Sequence, residues 1–144
     1  MKTYNIELTE KQAAILSQAC ELLARLGRSQ IKEIFNHLPI DYNNIDYEGY
    51  HDDQLAIETI LNKHLKKPPF NSYPDSKSNI AWDLYQVLRK ELSWEYAIKQ
   101  GYVSSKNDER NWKEMSGVHY GEPMKTSEQP LAKITVTDTA SHIH

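Results

Sequence analysis

The chain of 144 residues carries 20 acidic and 17 basic side chains, interspersed, for a net charge of −3. That balance lacks the basic footprint needed to bind a phosphate backbone, and so argues against duplex DNA or RNA as a main partner. Mean hydropathy is −0.72, and no apolar run approaches the ~18 residues of a membrane span, which excludes a helical membrane protein.

A mass of 16.7 kDa fits one ordinary domain. A single cysteine, Cys20, cannot form an intrachain disulfide. Residues 1–8 lack the apolar core of a signal peptide, so the expectation is a cytoplasmic protein. Nine Tyr against two Phe shift the aromatic content toward rings that suit wet pockets and interfaces as well as cores.

In chain order, Tyr4, Ile6 and Leu8 alternate with polar residues at the period of a short half-buried strand. Thr9 and Gln12 have the spacing of a capping box. Ile15, Leu16, Ala19, Leu22, Leu23 and Leu26 then recur on one helical face. Gly27 is a natural stop, and Ser29 can cap a second helix carrying Ile31, Ile34, Phe35 and Leu38, ended by Pro39. Residues 39–51 are rich in turn formers and tyrosines and read as a loop.

A third helix is predicted over 52–65 with Leu55, Ile57, Ile60, Leu61 and Leu65 inward, and Lys63, Lys66 and Lys67 at its negative end. A connection stiffened by three prolines, residues 67–75, follows. Residues 78–100 form a long pattern, apolar almost all round, which marks a central pillar closed by Gly101. Trp112 and Met115 mark one helical turn, residues 117–123 a Gly/Pro-bounded loop, and 131–136 a second strand.

The predicted architecture is mainly α: about four helices around a long central one, with short N- and C-terminal strands paired. One domain spans 1–136, and 137–144 form a frayed tail. A pillar apolar on several faces also points to homo-oligomerisation.

Arg25 and Arg28, with Gln30, straddle a helix end and the start of the next helix, where free amides and two guanidiniums can clamp an anion. The same arginines could equally be solvated or bridge surface acids. Trp82, Gln86, Arg89 and Tyr96 step along the pillar and could stack on and hydrogen-bond a flat polar ligand. Alternatively Trp82 and Tyr96 fill the core and Arg89 ties the last turns of neighbours together; if buried, it needs several carbonyls or a carboxylate such as Asp52, Asp83 or Glu91.

His119, Tyr120 and Lys125 belong to the loop segment 117–127, where a functional residue is most expected. The six histidines show no metal-ligand spacing, so no metal or cofactor is expected. No catalytic residue is nominated. Cys20, inside an apolar helical pattern, reads as a small buried hydrophobe.

The segments Leu8-Thr-Glu-Lys-Gln-Ala13, Ala24-Arg-Leu-Gly27 with Gln30, Ala81-Trp-Asp-Leu-Tyr-Gln-Val-Leu-Arg89, and Gly117-Val-His-Tyr-Gly-Glu-Pro-Met-Lys-Thr-Ser with Pro130-Leu-Ala-Lys133 together resemble a family of small uncharacterised phage and prophage proteins. The resemblance covers nearly the whole chain. It implies a mobile-element origin and action in a bacterial cytoplasm, and brings no activity or catalytic residue with it.

Two functions are therefore expected to compete. One is a non-enzymatic binding protein, of an anti-defence kind, that captures a small anionic nucleotide-like molecule. The other is a protein-interaction module that inhibits a host factor or assists phage assembly through Tyr42, Tyr47 and Tyr50.

Overall fold

Thr9 starts the first helix, α1 (Glu10–Gly27), in a computed structural model that describes residues 1–65, 76–106, 108 and 123–137. The Gln12 amide donates to Thr9 Oγ1 at 3.2 Å, and the Thr9 amide donates to Gln12 Oε1 at 2.9 Å, completing the capping box. Before it the chain is exposed, Tyr4 at 86%. No strand forms at residues 4–8 or 131–136, and none occurs among the described residues. A strand is held by a hydrogen-bonded neighbour, and neither segment meets one.

The end of α1 corrects the reading of Gly27 and Ser29. The Ser29 amide donates to the Leu26 carbonyl at 2.9 Å and the Gln30 amide to the Arg25 carbonyl at 3.0 Å, the paired closure of a Schellman motif. The residue that adopts the left-handed conformation is Ser29, at φ 60°. Ser29 therefore terminates α1 instead of capping the next element. That element is a 3₁₀ helix, Ile31–Asn36, whose N-cap, Gln30, makes no side-chain cap bond. A non-glycine residue is disfavoured there, so Ser29→Gly is expected to stabilise the protein by about 0.5–1 kcal/mol, read as a rise in thermal midpoint.

The second α-helix, α2 (Tyr47–Asn62), begins five residues before the predicted 52, so that Tyr47, Tyr50 and His51 are helical and not part of a loop. Asp46 and Glu48 at its positive end favour that earlier start. It contains no buried residue. Leu55, Ile57, Ile60 and Leu61, expected to face inward, are exposed. Leu55 lines the contact with the 3₁₀ helix, the one helix that α2 meets among the described residues, and that element is too short to cover the rest.

The third, α3 (Lys77–Lys99), is the pillar and lies within a residue or so of its predicted limits. Ser76 caps it by accepting from the Asn79 amide at 3.2 Å. Its largest neighbour is α1. Ser17, Cys20, Ala24 and Gly27 repeat at three- and four-residue steps and face the matching repeat Ser78, Ala81, Tyr85 and Leu88. All of them except Gly27, at the helix end, are buried.

Small side chains let the helices approach closely. The Ser78 hydroxyl donates to the Ala24 carbonyl at 2.8 Å, and a Cβ placed on Gly27 would lie 2.6 Å from Ser78 Cβ. Gly27 is thus required by contact, not by the turn.

At its far end α3 closes on Gly101, at φ 75°. The Tyr102 amide donates to the Ala97 carbonyl and the Gly101 amide to the Ile98 carbonyl, each at 3.0 Å. The reversal packs Val103 against Trp94 and Ala97 in a second small core. Asp108 then holds the turn by accepting from the Ser104 amide at 2.9 Å and the Ser104 hydroxyl at 3.0 Å. Lys106 pairs with Glu91.

The protein is mainly α-helical, with α3 flanked by α1 and by segments near 103–106 and 123–127, while α2 meets neither α1 nor α3. No helix among the described residues is long and apolar enough to cross a membrane. The connection at 67–75, the turn at Trp112 and Met115, loop residues His119 and Tyr120, and the tail from 138 lie outside the described residues.

Candidate functional site

The crossing of α1 and α3 brings arginines from one helix end over aromatic rings of the other. Arg28, the C-cap of α1, sets its guanidinium carbon 4.7 Å from the centre of the Trp82 ring, and Arg25 lies 5.8 Å from the same ring. The Trp82 and Tyr85 rings are 5.2 Å apart at 50°. One turn further, Arg89 lies 4.9 Å from the Tyr85 ring centre, and its Nη1 donates to the Tyr85 hydroxyl at 3.4 Å. The result is a ladder of cation, ring, ring and cation. From Trp82 to Arg89 it extends about 10 Å along the helix axis.

Its cations differ in how they are balanced. Arg25 donates through Nε to Glu21 at 2.9 Å, lies 3.8 Å from Glu33, and donates through Nη1 to Gln30 Oε1 at 3.0 Å. The hydrogen bond to Glu21 raises the Arg25 pKa, against the opposing effect of burial. Arg28 has one long hydrogen bond, to Asn79 Oδ1 at 3.4 Å. Neither Arg28 nor Arg89 has a carboxylate within 4.0 Å among the described residues. A buried Arg89 would need several carbonyls or a carboxylate, with Asp52, Asp83 and Glu91 as candidates. Instead it uses a ring face, because Asp83 points elsewhere, Asp52 sits on the detached α2 and Glu91 pairs with Lys106.

Asp83 is the buried anion of α3, 5% exposed. Its carboxylate accepts the Thr126 amide and hydroxyl, both at 2.7 Å, the Ser127 amide at 2.9 Å and the Ser127 hydroxyl at 2.6 Å. The Thr126 hydroxyl also lies 3.1 Å from the Asn79 carbonyl, so its one proton is shared. Burial pushes the Asp83 pKa up, but the four donors outweigh it and hold the group below its ordinary 3.8.

Gln86 completes the clasp. Its Nε2 donates to the Met124 carbonyl at 2.9 Å, and its Oε1 accepts the Met124 amide at 3.2 Å.

Of the residues nominated from sequence, Arg25, Arg28, Gln30, Trp82 and Arg89 come together on the ladder, joined by Tyr85, which had not been singled out. Gln86 is committed to Met124, and Lys125 donates to the Glu128 carbonyl at 3.3 Å. Tyr96 stacks edge-on with Tyr102 at 6.3 Å, away from the ladder. An aromatic residue at a three-residue step from Trp82 on the same helix is the signal that could have found Tyr85.

A separate cavity of about 300 Å³ lies between the 3₁₀ helix and α2, lined by Lys32, Phe35, His51, Gln54 and Glu58 among others, and the ladder takes no part in it. Among the described residues no group of three or more His, Cys, Asp or Glu is placed to hold a metal. No protein-family model, curated protein or solved structure matches the chain.

Proposed function

We propose that this protein captures a small anionic, nucleotide-like molecule on the ladder formed by Arg28, Trp82, Tyr85 and Arg89. The observation that carries the reading is the pair of guanidiniums that flank two aromatic rings with no carboxylate within 4.0 Å among the described residues. Phosphate oxygens suit the arginine forks, and a base suits the ring faces between them. Guanidiniums and rings hold a ligand without exchanging protons with it, so binding is the activity this set of groups supports. The likeness to small phage and prophage proteins makes a host defence signal the ligand class to test, and an anti-defence role in the bacterial cytoplasm the matching biology.

Calorimetry against cyclic nucleotides and ADP-ribose derivatives is the test. At least one is expected to bind, and Trp82→Ala or Arg28→Ala to weaken it about tenfold or more, as loss of one stacking or charge-assisted contact does. Silence across the panel would overturn the reading.

A second reading, a module that binds a host protein, is favoured by two exposed tyrosines, Tyr42 in the segment before α2 and Tyr47 at its first residue. Recovery of a stoichiometric host partner that is lost on Tyr47→Ala would select it.

A further inference from the structure

A 16-residue helix with no buried residue is not stable on propensity alone, because helices in proteins draw most of their stability from packing one apolar face. The 3₁₀ helix meets the side of α2 that carries His51, Gln54, Leu55 and Glu58. Ile57 and Ile60 point away from that side, 44% and 57% exposed, and neither α1 nor α3 meets α2.

Charge is polarised along the same helix: Glu48, Asp52 and Asp53 lie toward its start, while Lys63 and His64 follow its end. A parallel neighbour of the same sequence would stack acid on acid. An antiparallel one sets each acidic end against a basic end and opposes the helix dipoles favourably.

We infer that α2 pairs with the α2 of a second copy of this chain, antiparallel about a two-fold axis. With the axis between positions 58 and 59, Ile57 packs beside the partner's Ile60 and Ile60 beside the partner's Ile57, an isologous contact in which each residue is used twice. The same register brings Asp53 next to the partner's Lys63 and the partner's His64. The inference rests on α2 alone and is independent of ligand capture on α3.

Sedimentation of the full chain over a concentration series tests it. The mass is expected to rise from 16.7 kDa toward twice that value. Ile57→Glu with Ile60→Glu should hold it at the monomer with the helical circular dichroism kept. Asp53→Lys should weaken association at least tenfold, and Asp53→Lys with Lys63→Asp should restore it, which a loss of folding could not mimic. A monomer at every concentration, a dimer indifferent to both isoleucines, or failure of the double charge exchange to recover association would each overturn the antiparallel pairing.

Discussion

Replacing Asp83 with Ala is expected to lower stability by about 3 kcal/mol, a fall of about 10 °C in thermal midpoint for a chain of this size. The carboxylate receives two amides and two hydroxyls of Thr126 and Ser127. Its removal leaves those donors in a site where water reaches them poorly, and stranded polar groups of that kind underlie the larger effects of single substitutions. Hydrogen exchange should show residues 124–127 opening first, since the Gln86 contacts to Met124 and the Thr126 hydroxyl bond to the Asn79 carbonyl are then the ties that remain.

The same group gives the fold an acid limit. Its folded-state pKa lies below the unfolded value of 3.8, so its contribution is complete above the unfolded pKa and is lost as pH falls through 3.8 toward the folded value. Acid titration of the native protein should therefore release this clasp, and the Asp83→Ala variant should show a flatter stability profile below pH 4.

Gly27→Ala is the second large effect, and its sign is informative. Inside a helix the exchange of Gly for Ala is ordinarily stabilising by about 1 kcal/mol. Here the new methyl would sit 2.6 Å from Ser78 Cβ, an atom fixed to the backbone of α3 that cannot swing aside. Overpacking of this kind costs about 1–3 kcal/mol, so the net expectation is a loss of up to about 2 kcal/mol. In a Ser78→Gly background the obstructing atom is absent, and Gly27→Ala should then become stabilising. Denaturant unfolding of the four proteins of this cycle measures the reversal.

What the sequence revealed and what it hid divide along range. The capping box of Thr9 and Gln12 and the closure at Gly101 are written within a few residues, so α1 and α3 could be bounded closely from pattern alone. The apolar residues of α2 were equally visible, but periodicity reports their spacing and is silent on what lies against them. Tyr4, Ile6 and Leu8 alternate as a strand would, yet a strand is a property of two segments. The clasp is further out of reach, because Asp83 meets Thr126 and Ser127 from 43 and 44 positions away. Arg28 and Trp82 could each be nominated for their chemistry, while their stacking depends on a helix crossing set by Gly27 and Ser78.

Cys20 lies in that crossing, shielded between α1 and α3, and its burial pushes the thiol pKa upward. Alkylating reagents attack the thiolate, which this environment both conceals and disfavours. The side chain becomes reactive when the two helices separate, and it is the chain's sole sulfhydryl. The rate at which the unaltered protein takes up such a label is therefore a clock for how often its two longest helices part.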